Sequence, residues 1–236
     1  MTVNDYYTRL NSENSRIFIE SLIDNSGQSL THDLVSNLQI WMNLLINYES
    51  SNMLSNSIEE LDISCLQMMQ GIYRGSFASL RLSLEMLCGS IYFSAHNIEY
   101  KEWSNGNKDL IWAVLSCSEN GILSKRFSEA YFPELKTTTA DIHLKLKKLY
   151  RELSEMVHGN NKTWSYENPK LSYNIVLKDI YKSYIEDYII VSNYVLCLRF
   201  LNFIPFEDIS KIEIHINDSL GHIEEIRIKI GGQKNG

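Results

Sequence analysis

The sequence predicts an all-α bundle of helices followed by a C-terminal β-hairpin. Apolar residues recur every three or four positions along most of the chain, which is the period of an amphipathic helix. The 236 residues include only three prolines and eleven glycines, fewer turn-forming residues than a large all-β protein needs. Near the C-terminus the pattern changes to strict alternation of polar and apolar residues, which is typical of a strand.

The first three helices are predicted at about 3–23, 31–48 and 58–95. Asn25-Ser26-Gly27 ends the first helix, and small residues along the third permit close contact with neighbouring helices. The third is therefore expected at the centre of the bundle. Apolar positions with helical spacing support the second and third helices: Leu34, Leu38, Trp41 and Leu45, and then Leu80, Leu84, Leu87 and Ile91.

A less regular segment follows at about 97–138, with short helices predicted at 110–116 and 124–131. The fourth main helix is predicted at 139–158, because Ile142, Leu146, Leu149 and Leu153 have helical spacing and Gly159 is a typical helix stop. The fifth is predicted at 176–203, before Pro205. The most apolar stretch, 188–206, contains polar residues and is interpreted as a core helix, not a membrane span.

The tail carries two alternating segments, 211–216 and 225–230, with turn-forming residues at 217–221 between them. This pattern predicts a hairpin with one isoleucine face. The predicted organisation is therefore N-terminal helices (1–50) packing on a bundle (51–206) that contains the irregular segment, followed by the hairpin (207–236).

Composition and motifs restrict the function classes. The net charge of −7 argues against a protein that coats nucleic acid through a basic surface. The four cysteines form no C-x-x-C pair and the histidines no ligand spacing, so neither a metal site nor a cofactor is predicted. The first residues lack the apolar region of a secretory signal. A cytoplasmic location without membrane attachment is expected.

The residues that point to chemistry lie at the end of the fourth helix. Arg151 and His158 are seven positions apart, which in a helix places them on one face together with Ser154 and Glu155. Histidine can transfer a proton near neutral pH. Arginine can hold a phosphate and offset the charge that develops on it. The pair is therefore suited to phosphodiester chemistry.

The Arg-x6-His spacing late in an all-α bundle resembles the R-x4–6-H motif of HEPN (higher eukaryotes and prokaryotes nucleotide-binding) domains. The segments LYRELSEMVHG and YRGSFASLRLSLEMLCGSIYF also resemble HEPN-like proteins of bacterial defence and toxin type, over about 58–203. The resemblance implies a HEPN-like bundle and a metal-independent endoribonuclease, in which two copies of the motif meet in a homodimer. Arg151 would steady the scissile phosphate and His158 would transfer the proton.

The resemblance also implies a setting in anti-phage defence or a toxin–antitoxin system, with an antitoxin or defence-complex partner besides RNA. One position departs from the family pattern. Many active members place Asn, Asp or His directly after the arginine, whereas this chain has Glu152. A carboxylate beside a scissile phosphate would repel it.

Charge near the motif supports RNA binding. The segment 136–151 contains five basic residues and one acid, and Lys147 and Lys148 lead directly into the motif. Just after it, Lys162 and Trp164 pair a cation with an aromatic ring that could stack an unpaired base. These four residues are the predicted RNA-binding set, and Ser154 and Glu155 are predicted to support the catalytic pair.

Two alternatives remain open at the level of sequence. Arg151 with Glu155, and Glu155 with His158, have the spacing of ordinary surface pairs, and a histidine near a helix C-terminus is favoured by the helix dipole. The other alternative is a non-catalytic HEPN-like module that binds RNA, a nucleotide or a partner chain without cutting.

Overall fold

The computed structural model describes residues 1–158, 163 and 171–234. Within these residues the chain is all-α, as the sequence predicts, and no strand is found. Twelve α-helices are described: α1 Val3–Ser21, α2 Ser26–Leu44, α3 Asn52–Met69, α4 Tyr73–Phe93, α5 Asn97–Ser104, α6 Trp112–Leu115, α7 Lys125–Tyr131, α8 Thr139–Val157, α9 Ile175–Phe200, α10 Phe206–Ile209, α11 Glu213–Leu220 and α12 Glu224–Lys229. Short 3-10 helices cover Glu49–Ser51 and Pro133–Thr137.

Helix α9 lies at the centre of the bundle together with α4, the second part of the predicted third helix. It packs against α2, α4, α8 and α11. Every residue from Val191 to Phe200 is buried, including Asn193 and Arg199. A helix that is buried all round lies inside a protein core or a membrane. In the described part of the chain, no helix combines the length and apolar character needed to cross a bilayer.

The predicted long helix at 58–95 is two helices, because the chain turns at Gly71. Gly71 has φ of +76°, in the left-handed region that favours glycine. Its N–H donates to the Met68 carbonyl oxygen, and the N–H of Ile72 donates to that of Gln67. These two bonds end α3 and reverse the chain into α4. The two helices then pack side by side.

Small residues allow close packing between α3 and α4, which the sequence analysis predicted as a single helix. Ser57 and Ser83 each donate a hydrogen bond to the other's carbonyl oxygen, at 3.0 and 2.7 Å. Since each serine proton is used in this way, the single hydroxyl proton of Tyr188 is shared between the two serine oxygens, which lie 3.1 and 2.8 Å from it. This buried network joins α3, α4 and α9.

The predicted C-terminal hairpin is wrong, because 211–230 folds into α11 and α12. The same isoleucine run contains a helical stripe, in which Ile212, Ile216 and Leu220 are fully buried. Ile214, which a hairpin would have placed on the same face, is 71% exposed. A lone two-stranded hairpin is marginal in water, whereas the helical arrangement buries its stripe against α9. Tertiary packing therefore favours the helical pattern over the strand pattern in this segment.

The irregular segment 97–138 consists of short helices that cover one end of α4 and α9. Helices α5 and α6 contact α4, and α7 contacts α9. Phe127 and Leu135 anchor the segment in the main core. The imidazole Nε2 of His143 lies 2.9 Å from the Ser116 carbonyl oxygen, which attaches the segment to α8.

Candidate functional site

The exposed end of α8 presents both predicted catalytic residues to solvent. The Arg151 side chain is 67% exposed, and His158 is also exposed. The helix ends at Val157, and His158 is its cap, with an extended ψ of 158° and an N–H that donates to the Ser154 carbonyl oxygen at 2.9 Å. The predicted stripe therefore holds within the helix for Arg151, Ser154 and Glu155, and His158 lies where the chain leaves it.

The other face of α8 is held in the core. Leu149 and Leu153 are fully buried, and Met156 is 7% exposed. This face packs against α4 and α9. Burial of the apolar stripe fixes which face of α8 meets solvent, and so it places the guanidinium and the imidazole on the outside of the bundle.

Two carboxylates lie close to Arg151. Its Nη2 is 4.0 Å from Oε1 of Glu152, and its Nε is 3.8 Å from Oε1 of Glu155. Glu152 is also 3.9 Å from Nζ of Lys148. All three distances are too long for a hydrogen bond, so attraction between the charges acts without directional bonding. Such exposed pairs are weak, and a phosphate can compete for the guanidinium.

A second arginine, Arg74 of α4, holds the end of α8. Its Nη1 donates to the Met156 carbonyl oxygen at 2.8 Å and lies 3.5 Å from that of His158. The last turn of α8 has no basic residue of its own. Arg74 therefore supplies the cation that the negative end of the helix dipole favours. No local pattern in the sequence predicts this contact, because the partners are 82 positions apart.

Tyr150, directly before Arg151, fixes α8 against α4. Its hydroxyl donates to Oε1 of Glu85 at 2.8 Å and accepts from Nη2 of Arg81 at 2.9 Å. Its ring stacks on Trp112 with 3.7 Å between centroids. Burial, followed by the bond to Glu85, raises the pKa of Tyr150. The i,i+4 spacing of Arg81 and Glu85 is visible in the sequence, but their joint contact with Tyr150 depends on the fold.

The basic character of the segment 136–151 is reduced by acids from other parts of the fold. Lys136 lies 3.0 Å from Glu129, and Lys145 forms a salt bridge with Asp187. The predicted RNA-binding residues Lys147 and Lys148 are exposed. The other two, Lys162 and Trp164, lie outside the described residues. Exposed Lys147, Lys148 and Arg151 are therefore the described cations nearest in sequence to His158.

The two predicted supporting residues have partly structural roles. The hydroxyl of Ser154 donates to the Tyr150 carbonyl oxygen at 2.7 Å, within the helix. The carbonyl oxygen of Glu155 accepts from the hydroxyl of Thr163 at 3.1 Å, while its carboxylate faces Arg151. Of these two residues, Glu155 is the one whose side chain faces the arginine.

Among the described residues, no three His, Cys, Asp or Glu side chains lie close enough together to bind one metal ion. Comparison with known proteins gives no match to a family model, to a curated protein or to a solved structure. The arguments for function therefore rest on the residues at the end of α8 and on the chemistry open to them.

Proposed function

We propose that this protein is a HEPN-like, metal-independent endoribonuclease that cuts RNA at a composite site between two copies of the chain. The observation that carries the proposal is the exposure of Arg151 and His158 at the same end of one helix whose opposite face is buried. An arginine on a helix and a histidine at the C-cap of that helix provide a phosphate ligand and a proton carrier.

The reaction needs only these two types of side chain. The imidazole of His158 accepts the proton of a ribose 2′-hydroxyl, and the 2′-oxygen attacks the adjacent phosphorus. The bond from phosphorus to the 5′-oxygen breaks, and that oxygen takes the proton of a second imidazole that is protonated at the start. Arg151 binds the non-bridging oxygens and offsets their growing charge. The products are a 2′,3′-cyclic phosphate and a 5′-hydroxyl.

A second copy of the chain would complete the site. Attack and departure of the leaving group need a base and an acid on opposite sides of the phosphorus. One α8 end supplies one imidazole on an open surface. In a two-fold homodimer, two α8 ends facing each other would supply both groups and a cleft between them.

A second candidate function is a non-catalytic HEPN-like module that binds RNA, a nucleotide or a partner chain. The observation that favours it is the pair of carboxylates, Glu152 and Glu155, within 4.0 Å of Arg151. Their negative charge repels the doubly charged transition state of RNA cleavage more than it repels a singly charged bridging phosphate. In this case the α8 end would hold its ligand without cutting it.

Cleavage of mixed RNA in EDTA tests the proposal. The wild-type protein is compared with His158→Ala and Arg151→Ala, and with Arg9→Ala and His222→Ala as matched controls at other exposed positions. The nuclease proposal expects cutting by the wild type and both controls, and loss in the two α8 variants. Equal cutting by all five proteins would indicate a contaminant. RNA binding without cutting would favour the second candidate.

A further inference from the structure

Helix α1 leaves the bundle at the end where α8 ends. Its buried residues, Ile17 and Ser21, lie near its C-terminus, whereas residues 3–9 are exposed. Ile17 packs on the turn at Gly71, where an added Cβ would lie 3.0 Å from Cδ1 of Ile17. Arg74, in the first turn of the next helix, bonds to the last turn of α8. Since an α-helix rises about 1.5 Å per residue, α1 continues about 20 Å beyond Ile17 into solvent.

The projecting part of α1, residues 3–10, is a regular amphipathic helix and is called the α1 arm below. A capping box begins it, with bonds of 2.8 and 3.2 Å. At about 100° per residue, Val3, Tyr7 and Leu10 lie on the same face as buried Ile17. The charged residues of α1 lie outside this face: Asp5, Arg9, Glu13, Arg16 and Glu20. An uncharged face that continues a buried one is suited to packing against another surface.

Apolar side chains are also exposed on the surface from which the arm projects. Ile72 is 38% exposed in the turn before α4, and Ile175 and Val176 are 45% and 48% exposed in the first turn of α9. The two places adjoin, because the hydroxyl of Tyr73 accepts from the N–H of Asn174 at 2.7 Å. These three aliphatic side chains form an end surface, which lies at the same end of the bundle as the last turn of α8.

The apolar area of the arm indicates what covers it. Tyr7 is 64% exposed and Val3 is 72% exposed, and together with Tyr6 and Leu10 they offer roughly 350–400 Å². A partner that covers one arm buries about twice that area in total, which is below the roughly 1,200 Å² of a specific interface. Two copies that each receive the other's arm bury about 1,500 Å², within the range of stable interfaces. Reciprocal contact between two copies therefore fits the area, whereas a single contact does not.

We propose that the protein is a homodimer in which the α1 arm of each copy packs on the end surface of the other. The apolar face of the arm covers the aliphatic side chains of that surface, and the exchange is two-fold. Because the arms lie at the end of the bundle that carries Arg151 and His158, the same dimer brings two α8 ends together. This consequence rests on the proposed function, whereas the contact itself is independent of RNA cutting.

Sedimentation of the full chain without RNA tests the contact. At about 50 μM the wild type should be a dimer. The double variants Tyr7→Ser/Leu10→Ser and Ile175→Ser/Val176→Ser should each weaken the dimer about tenfold or more. Ile19→Ser, at a position that is 65% exposed on the opposite face of α1, should leave the dimer unchanged. A monomeric wild type, unchanged association of the arm variant, or equal weakening by Ile19→Ser would each overturn the proposal.

A photo-crosslinker shows where the arm lies. With p-benzoylphenylalanine in place of Tyr7, irradiation should join two chains, and the linked peptide should contain Ile72 or the first turn of α9. Isotope-labelled and unlabelled copies are mixed, so that links between chains are distinguished from links within one chain. Links only within a chain, or only between the two arms, would overturn the exchange. A dimer linked in the expected way supports this inference whether or not it cuts RNA, and absence of cutting by that dimer would contradict the nuclease proposal alone.

Discussion

Arg74 of α4 and Met156 of α8 are joined by a 2.8 Å hydrogen bond from the guanidinium to the carbonyl oxygen. This bond lies at the last turn of α8, two residues before His158. It connects the helix that carries the candidate site to a neighbour in the core. The position of the imidazole thus depends on a residue that is remote in sequence.

Replacing Arg74 by alanine should loosen the end of α8. We expect a loss of about 1–2 kcal/mol in the free energy of unfolding, since a charge-assisted bond to a part-buried carbonyl oxygen is removed. Amide hydrogen exchange at His158, whose N–H bonds to Ser154, should become faster. Arg9→Ala, on exposed α1, is the control. Unchanged exchange at His158 in Arg74→Ala would argue against this role.

Replacing Glu152 by glutamine should strengthen RNA binding. The change removes a negative charge that lies 4.0 Å from Arg151 and 3.9 Å from Lys148. We expect about twofold to fivefold tighter binding of a short single-stranded RNA at low salt, with the difference shrinking as salt is raised. Glu59→Gln, exposed on α3, controls for net charge. Weaker binding by Glu152→Gln would instead indicate that this carboxylate positions Arg151.

Tyr150→Phe should alter how stability depends on alkaline pH. Burial and the Glu85 bond raise the pKa of Tyr150 in the folded state, so its stabilising effect is complete below about pH 10, the pKa of an unfolded tyrosine. That effect is lost as pH rises towards the folded pKa. Denaturant unfolding at pH 8 and above pH 10 should show a smaller decline for Tyr150→Phe than for the wild type. Equal declines would mean that Tyr150 titrates normally.

The four cysteines should differ in reactivity. Backbone N–H groups of Glu119 and Asn120 lower the pKa of Cys117, whereas burial raises the pKa of Cys88 and Cys197. The thiolate is the reactive form. Iodoacetamide should label Cys117 first, as read by mass spectrometry. As pH is lowered, its labelling rate should begin to fall at a lower pH than the labelling rate of an ordinary thiol does. Faster labelling of Cys88 or Cys197 in native protein would contradict their burial.

Substitutions in α11 distinguish the helix from the hairpin that the sequence predicts for the same residues. Ile216 is fully buried and Ile214 is 71% exposed. Ile216→Ala should cost about 2–4 kcal/mol of stability, and Ile214→Ala less than about 0.5 kcal/mol. In a one-faced hairpin the two isoleucines would share a face and cost similar amounts. Comparable losses would therefore restore the strand interpretation.

The sequence predicts the all-α class and most of the main helices, because their apolar residues fit only the helical spacing of three or four positions. The prediction fails where a run of apolar residues fits both the strand period and the helical period, as at Ile212, Ile214 and Ile216. Only packing against α9 distinguishes the helix from the strand there. The prediction also misses the turn at Gly71, where one glycine interrupts a continuous apolar pattern. At the candidate site, the exposure of Arg151 and His158 agrees with their pattern, whereas Arg74 and the acids opposite the lysines become visible only in the fold.

The chemical ends of the RNA products test the central claim most directly. A defined RNA is incubated with wild type and with His158→Ala in EDTA, and the products are analysed by mass spectrometry. The account predicts 2′,3′-cyclic phosphate and 5′-hydroxyl ends with the wild type and intact RNA with the variant. Cleavage that requires a divalent metal, leaves 5′-phosphate ends, or persists in His158→Ala would contradict it.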